Sequence, residues 1–148
     1  MQIVIHTDGA AQGNPGKGGY GVVLQSGNHY KELSQGFKYT TNNRMELLAV
    51  IVALEAIKDG GADVLVVSDS KYVVDAVEKK WLFGWEKKNF AKKKNPDLWK
   101  RFLVVYRKHK VALKWIKGHA GHSLNERCDE LAVQAANSSD LVLDEYYE

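Results

Sequence analysis

The sequence predicts an α/β fold in which a mixed β-sheet is flanked by helices. Three segments near the N-terminus have the alternating or β-branched character of strands and are joined by short turns. Strand-like and helix-like segments then alternate through the rest of the 148-residue chain, which is typical of βαβ units. An antiparallel meander followed by such units gives a sheet with both antiparallel and parallel neighbours.

The first three strands are expected within residues 2–40. Residues 2–8 alternate between two sides, and the glycine-rich turn segment GAAQGNPGKGG follows them. YGVVLQS is the second expected strand and HYKELSQGFKYT the third, with a short Gly-Asn turn between them. Such short links favour antiparallel pairing of consecutive strands.

Helices and strands alternate after residue 40. Residues 41–43 offer N-capping side chains for an apolar helix that is expected to end at residues 60–61. VLVVSDS is an apolar, β-branched run and predicts a central strand that is buried on both faces. Helices are expected over residues 70–80 and in DLWKRFLVVYRKH, followed by the strand VALKWIKG and a last helix from Asn125.

Composition favours one domain with a polyanionic partner. The hydrophobic fraction of 45% suffices for one core, and the single cysteine, Cys128, excludes an internal disulfide framework. We find no signal peptide, no membrane-spanning run, no repeat and no long linker, so we expect a single cytoplasmic domain over residues 1–148. The net charge is +3, and lysines interleaved with aromatic residues are concentrated at about residues 79–98, whereas the tail at about 137–148 is acidic.

Four acidic residues occupy positions that a sheet with flanking helices could bring together. Asp8 is expected at the end of the first strand and Asp69 at the end of the fourth, so parallel pairing would place them side by side. Glu46 and Asp129 are each expected in the first turn of a helix. Four acids at one rim would repel each other unless a cation joined them, and oxygen ligands suit Mg²⁺ or Mn²⁺.

Each of these acids also has a purely structural interpretation. Asp69 could cap the helix that follows it, and Asp8 could be a turn residue. Glu46 and Asp129 could be charges that favour a helix dipole. Spacing alone does not bring the four acids together.

The histidines of the segment GHAGH are also open to two interpretations. His119 and His122 lie three residues apart and could bind zinc, but Cys128 alone adds little to such a site. A glycine-flanked histidine beside carboxylates is alternatively well placed to move protons.

Four segments together resemble bacterial type 1 ribonuclease H: TDGAAQGNPGKGGYG, TTNNRMELLAVIVALEAI, VVSDSKYV and WIKGHAGHSLNERCDELA. The resemblance covers about residues 3–136, in the same order and with similar spacing. It implies a five-stranded mixed sheet in the order 3-2-1-4-5, with a basic protrusion, the handle, at about residues 79–98. It also implies an endonuclease that hydrolyses the RNA strand of RNA–DNA hybrids and leaves 5′-phosphate and 3′-hydroxyl ends.

The resemblance implies a catalytic site of four carboxylates and one mobile histidine: Asp8, Glu46, Asp69, Asp129 and His119. The acids would hold two Mg²⁺ ions, replaceable by Mn²⁺, which activate the attacking water and stabilise the leaving 3′ oxygen. Asp8 would bridge the ions and Asp129 would hold the water-side ion. His119 would assist proton movement or product release.

The resemblance further implies a surface that recognises the hybrid by its shape and its 2′-hydroxyl groups. Amides would line the minor groove, Thr41 would lie near a DNA phosphate, Trp81 would pack under a deoxyribose, and lysines would bind phosphates. The implied substrate-binding residues are Asn14, Thr41, Asn42, Asn43, Lys71, Trp81, Lys87 and Lys88. Alternatively, Asn14 forms a turn and Asn42 caps a helix, while Trp85, Phe90 and Trp99 are expected to pack the handle against the body.

The chain departs from the family pattern in three places. Lys71 stands where many bacterial members carry glutamine, and Phe90 stands where tryptophan is common. The stretch AKKKNPDLW is shorter than in the best-known members. These departures concern affinity for the hybrid rather than the reaction.

Two other functions compete with this one. An integrase or resolvase of the same fold would usually vary the acids and lack the GHAGH loop. A non-catalytic hybrid-binding module would explain the handle, but it would gain nothing from clustered acids that repel phosphate. We therefore expect a monomeric nuclease with an RNA–DNA hybrid as partner and no membrane association.

Overall fold

The computed structural model describes residues 2–118 and 120–145. Within them the sheet consists of β1 (Gln2–Gln12), β2 (Gly16–Ser26), β3 (His29–Thr40), β4 (Asp63–Ser68), β5 (Lys110–Trp115) and β6 (Leu141–Val142). The helices are α1 (Asn42–Glu55), α2 (Lys71–Glu78), α3 (Trp81–Lys87), α4 (Pro96–Tyr106) and α5 (Ser123–Ala136). No helix in these two ranges is long and apolar enough to cross a membrane.

The strands follow each other across the sheet in the order β5-β4-β1-β2-β3-β6. The first three strands form an antiparallel meander, β4 runs parallel to β1, and β5 runs parallel to β4. The α/β class and the order 3-2-1-4-5 are thereby confirmed. The sixth strand was not predicted: Leu141 and Val142 pair in parallel with Gly36 and Phe37, and two residues are too few to show alternation.

Helix α1 is buried around most of its circumference because it lies between the sheet and α4. A helix covered on several sides carries apolar residues all round, as α1 does. Its buried apolar residues are Met45, Leu47, Leu48, Ala49, Val50, Ile51, Ala53 and Leu54. Helix α5 contacts β1, β2 and β3 from the other side, so both faces of the sheet are covered.

Three helix predictions need correction. α1 ends at Glu55, because residues 60–61 belong to the turn that follows, where Gly61 has a φ of +79° and its amide donates to Lys108 O at 2.7 Å. α5 begins at Ser123, two residues before Asn125. α3 is an additional helix inside the handle, and its seven residues are too few to show a clear period.

Arg44 in α1 carries a buried charge, with only 2% of its side chain exposed. Its guanidinium donates to Asp97 at the start of α4 and to Asp144 in the acidic tail, each at 2.7 Å. Thr40 also donates its hydroxyl to the Asp144 carboxylate at 2.6 Å. Charge-assisted hydrogen bonds from Arg44 therefore join the tail to α1 and join α1 to α4.

The strand β5 forms one outer edge of the sheet. The backbone amide of Leu113 in this strand donates to the carboxylate of Glu78, the last residue of α2, at 3.2 Å. Lys110 and Lys114 are exposed on the same strand. A side chain from α2 thus occupies a hydrogen-bonding position on the edge of the sheet.

Candidate active site

Three carboxylates meet at the C-terminal end of β4. Asp8, Glu46 and Asp69 each offer an oxygen, and these oxygens lie within 4.8 Å of one another. We call these three residues the carboxylate cluster. They line an open cleft of about 570 Å³, and Asp129 lines the same cleft without belonging to the set within 4.8 Å. The structure therefore brings all four acids singled out in the sequence into one cleft.

Asp8 and Asp69 are neighbours because their strands are parallel. The register of β1 and β4 pairs Thr7 with Ser68, so Asp8, the next residue of β1, lies beside Asp69, the residue that follows the end of β4. Contrary to the prediction, Asp8 is not at the end of its strand, because β1 continues to Gln12 as the antiparallel partner of β2. Asp8 is therefore a strand residue rather than a turn residue.

Glu46 reaches Asp8 because α1 crosses β1 at Gly9. A Cβ on Gly9 would lie less than 3.0 Å from backbone atoms of Met45 and Glu46, so only glycine allows this approach. The Gly9 amide donates to Glu46 Oε1 at 2.5 Å and to Asp8 Oδ1 at 2.9 Å. The prediction of Glu46 in the first turn was wrong by one turn, because α1 begins at Asn42 and Glu46 is its fifth residue.

Asp129 approaches Asp8 because α5 lies close to β2 at Gly21, the residue that pairs with Asp8. A Cβ on Gly21 would lie less than 3.0 Å from the Cys128 carbonyl oxygen and the Leu131 side chain. Asp129 is the seventh residue of α5 and lies in its second turn, not in the first as predicted. The glycine in β2 thus allows a helix residue to reach a strand residue on the same face of the sheet.

The cluster is electrostatically strained when no cation is present. Burial, together with the charge of Asp69, raises the pKa of Asp8 to about 7. Burial and the charge of Asp8 likewise raise the pKa of Glu46 well above its ordinary value. These carboxylates cannot all be ionised at neutral pH without a large repulsive cost, so the arrangement favours a bound cation.

Asp69 follows β4 and precedes α2, but it does not cap that helix. The cap is Ser70, whose hydroxyl accepts the Val73 amide at 3.3 Å. The backbone carbonyl of Asp69 accepts the indole N–H of Trp115 at 3.0 Å. Its Oδ1 is buried and has no hydrogen-bond partner among the described residues. A buried carboxylate oxygen without a donor is available for a metal ion.

Asparagine side chains continue the cleft away from the acids. Asn42 and Asn43 line it beside the cluster. The Asn42 side chain accepts the Ala11 amide at 2.6 Å, and its backbone amide donates to Asn14 Oδ1 at 3.2 Å. Asn14 lies in the β1–β2 turn, as its alternative interpretation requires, but Asn42 is not the cap of α1. That cap is Thr41, whose hydroxyl accepts the Arg44 amide at 3.2 Å.

The handle exposes charge and packs most of its aromatic rings, fully or partly buried, against the core. Phe90 and Trp99 are buried, and Trp85 packs edge-on against Trp99 with ring centroids 5.8 Å apart, so the predicted packing is confirmed. Trp81 is 50% exposed, and Lys87 and Lys88 are exposed. The handle therefore presents one aromatic ring and several ammonium groups at its surface.

The predicted catalytic histidine, His119, lies outside the described residues. His122 is exposed and precedes α5 without a capping hydrogen bond from its side chain. Burial raises the pKa of the Cys128 thiol to about 12, so this thiol stays protonated and makes a poor zinc ligand. In the described part of the chain, the carboxylate cluster is the group of three or more metal-ligating side chains that lies together.

Sequence reasoning missed the glycines that shape the site and the tryptophan beside it. Gly9 lies in the segment predicted to be a turn, whereas β1 continues through it to Gln12. Gly21 lies within an apolar strand, which is a recognised sign of close approach. Trp115 ends an alternating strand next to GHAGH, and its position at the C-terminal end of β5 was the available signal.

The RNase H family model matches residues 1–137 of the chain. The chain is 53% identical to the Ribonuclease H of Desulforamulus reducens, with 97% of this chain and 92% of that protein aligned. It is 50% identical to the Ribonuclease H of Rippkaea orientalis, with 99% and 93% aligned. The similarity thus extends over nearly the full length of both relatives.

The solved structures that resemble this chain are also RNase H enzymes. LC9-RNase H1, described as a type 1 RNase H with the type 2 active-site motif, is 30% identical with a TM-score of 0.83, covering 99% of this chain and 78% of that one. LC11-RNase H1, solved in complex with an RNA/DNA hybrid, is 29% identical with a TM-score of 0.67, covering 90% and 96%. The similarity in fold includes the region of the carboxylate cluster.

Proposed function

Because the chain belongs to the RNase H family, we propose that it cuts the RNA strand of RNA–DNA hybrids and leaves 5′-phosphate and 3′-hydroxyl ends. Its full-length relatives make it a ribonuclease H enzyme. The observation that carries the finer proposal is the meeting of Asp8, Glu46 and Asp69 within 4.8 Å. Acids at this spacing would weaken the binding of phosphates in a protein that only bound the hybrid, so they argue for catalysis.

The donor set fits hard divalent cations. All its ligand atoms are carboxylate oxygens, and Asp69 Oδ1 is buried without a donor. The raised pKa values of Asp8 and Glu46 arise partly from neighbouring negative charges, which a bound cation would neutralise. We therefore assign Asp8, Glu46, Asp69 and Asp129 as ligands of two Mg²⁺ ions, with Mn²⁺ as a substitute.

Bound in this way, the ions supply an activated water and stabilisation of the leaving 3′ oxygen. Asp8 has each of the other three acids as an electrostatic neighbour, so it would be a ligand of both ions. Glu46 and Asp69 would each hold one ion or share it with the scissile phosphate, and Asp129 would hold the ion that activates the water. The chain itself fixes these carboxylates, because the Gly9 amide donates to both Asp8 and Glu46.

His119 is assigned to proton movement or product release. Its neighbour Gly118 lies against Asp69, since a Cβ at this glycine would be 2.7 Å from Asp69 Oδ2. The segment that leads to His119 therefore starts beside the carboxylates. A histidine there would affect turnover more than metal binding.

The asparagines beside the cluster would recognise RNA at the cut. Asn42 and Asn43 line the same cleft as the acids, and Asn14 is hydrogen-bonded to the Asn42 backbone. Amides donate and accept, so they suit both 2′-hydroxyls and base edges in the minor groove. The Thr41 hydroxyl accepts from the Arg44 amide and keeps its own proton to donate to a DNA-strand phosphate.

The handle would bind the DNA strand. Trp81 is half exposed and can pack against a deoxyribose, while Lys87 and Lys88 offer ammonium groups to phosphates. The proposal includes one domain that acts as a monomer in the cytoplasm. The RNA/DNA hybrid bound by LC11-RNase H1 supports the choice of substrate.

The test is the incubation of the purified protein with an end-labelled RNA–DNA hybrid in Mg²⁺, Mn²⁺ or chelator. We expect RNA cleavage with both metals and none with chelator, and 5′-phosphate and 3′-hydroxyl ends on the products. Asp8→Asn should abolish cleavage while binding of the hybrid persists, because the substitution removes the bridging ligand. Retained full activity would exclude Asp8 from the mechanism.

A matched DNA duplex separates this function from its competitors. Preferential cleavage of the DNA duplex would indicate an integrase- or resolvase-type nuclease. Binding of the hybrid without cleavage in either metal would indicate a non-catalytic module. Either result would overturn the proposed function.

A further inference from the structure

Trp115 lies beside the carboxylate cluster but has no assigned role. It is the last residue of β5, and 39% of its surface is exposed. Its indole N–H donates to the backbone carbonyl of Asp69 at 3.0 Å, which fixes the ring next to a candidate metal ligand. A large, partly exposed apolar ring at the rim of a polar cleft contributes little to the stability of the core, so its position calls for another explanation.

Lys71 covers this ring. Its Nζ lies 4.7 Å from the centroid of Trp115, within the range of a cation–π contact. Lys71 also lines the cleft that contains Asp8, Glu46 and Asp69. No ion pair within 4.0 Å in the described ranges includes Lys71, so its charge is held by the ring rather than by an acid.

We propose that Trp115 is a positioning residue that holds the Lys71 ammonium at the rim of the cleft, where it binds a phosphate of the RNA strand beside the scissile one. This inference rests on the proposed function. Since Lys71 lines the same cleft as the acids, the phosphates within its reach belong to the strand that is cut. The hybrid then gains a contact on the RNA strand in addition to those expected at the handle.

The contact with the Trp115 ring also keeps the Lys71 ammonium away from the carboxylate cluster. A lysine side chain is long and flexible, and its ammonium is attracted to neighbouring carboxylates. An ammonium among Asp8, Glu46 and Asp69 would occupy the space that the cations need. Contact with the Trp115 face keeps the charge near the substrate and away from the ligands.

The experiment measures kcat and KM for hybrid cleavage at low and moderate salt in Trp115→Leu, Trp115→Phe, Lys71→Gln and the Trp115→Leu/Lys71→Gln double variant. Trp115→Leu should raise KM about twofold to fivefold, because it removes the aromatic face. Trp115→Phe keeps an aromatic face, so its KM should stay within about twofold of the wild-type value. Lys71→Gln should raise KM at least as much as Trp115→Leu does and should reduce the salt dependence of KM. The double variant should have the same KM as Lys71→Gln alone.

Lys110→Gln is the matched control, because it removes the same charge from the opposite end of β5 and should leave KM unchanged. Thermal unfolding shows that each variant is folded. Equal damage in Trp115→Phe and Trp115→Leu would assign the effect to the N–H bond with Asp69 and overturn the proposal. Multiplicative effects in the double variant would overturn this inference and leave the proposed function intact. An unchanged KM in Trp115→Leu, with normal cleavage by the wild type, would do the same. A wild-type protein that leaves the hybrid intact would overturn the proposed function as well.

Discussion

The backbone amide of Gly9 donates to the Glu46 carboxylate at 2.5 Å, across a crossing of β1 and α1 that leaves no room for a side chain on Gly9. The same amide donates to Asp8. Two of the three clustered acids therefore share one donor, and their separation is set by how closely the helix approaches the strand.

Gly9→Ala should impair both folding and catalysis. The added methyl group would overlap backbone atoms of α1, so the helix must move away and carry Glu46 with it. We expect a loss of about 1–3 kcal/mol in the free energy of unfolding, as for other overpacked sites. We also expect a fall in kcat of about tenfold or more, because misplaced ligands lose their geometry. Urea denaturation and single-turnover cleavage at saturating Mg²⁺ measure the two effects.

Gly60→Ala provides the control for this substitution. Its added Cβ would make only an ordinary contact, 3.6 Å from the Lys108 carbonyl oxygen, at the end of the molecule away from the cluster. It should leave kcat unchanged. A Gly9→Ala variant as active and as stable as Gly60→Ala would show that α1 can adjust without moving Glu46.

The order of strands could be predicted from the sequence, and the family resemblance named the four acids that line the cleft, whereas the geometry of the cluster could not be predicted. Parallel pairing of β1 with β4 follows from the chain connectivity and places Asp8 near Asp69. The approach of Glu46 and Asp129 depends on Gly9 and Gly21, where a missing side chain sets the distance between two elements. A local pattern describes one element at a time, so it does not report such contacts.

The tail illustrates the same limit. Asp144 reads as one acid among several in an acidic segment, and nothing local distinguishes it. Its partner Arg44 lies a hundred positions earlier, within a helix whose other buried residues are apolar. A charge in such a helix indicated that a counter-ion was needed, but it did not indicate which acid would supply it.

Asp8→Asn should stabilise the protein in chelator at pH 8. The pKa of Asp8 is raised to about 7 in the folded state from an ordinary value near 4, so the folded protein holds the proton more tightly. The wild type therefore loses stability as the pH rises from about 4 to about 7 and regains none above it. Removing the charge should add about 1–3 kcal/mol at pH 8 and little at pH 4.

Urea denaturation at both pH values, with chelator or Mg²⁺, checks this prediction. Mg²⁺ should stabilise the wild type and remove most of the difference in stability between it and Asp8→Asn at pH 8, because the cation neutralises the carboxylates as a proton would. The exposed Asp59 gives the control substitution, Asp59→Asn, which should change stability little at either pH. An Asp8→Asn variant less stable than wild type at pH 8 without metal would contradict the electrostatic account of the cluster.

Replacing Lys87 and Lys88 by glutamate should raise KM for the hybrid by about tenfold at moderate salt. The change reverses two exposed charges on the handle, and phosphate contacts of this kind weaken as salt rises. The difference from wild type should narrow at high salt, while kcat stays close to its original value. Steady-state kinetics over a salt series provide the measurement.

The control for the handle is Lys58→Glu/Lys108→Glu, which makes the same charge change at exposed positions away from the cleft. A similar rise in KM in this variant would mean that net charge, not the handle, determines affinity. A handle variant with unchanged KM at every salt concentration would remove Lys87 and Lys88 from the binding surface.

Asp144→Ala should destabilise the fold by about 3 kcal/mol, because it removes one of the two carboxylates, Asp97 and Asp144, that contact the buried guanidinium of Arg44 at 2.7 Å. Glu55→Ala gives the comparison, since it breaks an exposed ion pair with Arg101 and should cost less than about 1 kcal/mol. Chemical denaturation measures the free energy of unfolding of both variants. Equally small losses in that free energy would show that the tail adds little to stability.

The contact between Glu78 and the Leu113 amide has a consequence for the behaviour of the protein at high concentration. An outer strand with free amides can recruit a second chain and begin aggregation. Here one of those amides already has a carboxylate acceptor, and Lys110 and Lys114 would bring like charges together if two copies met along β5. Strand-to-strand association through this edge would have to displace Glu78 and overcome that repulsion, so the edge resists the growth of intermolecular sheets.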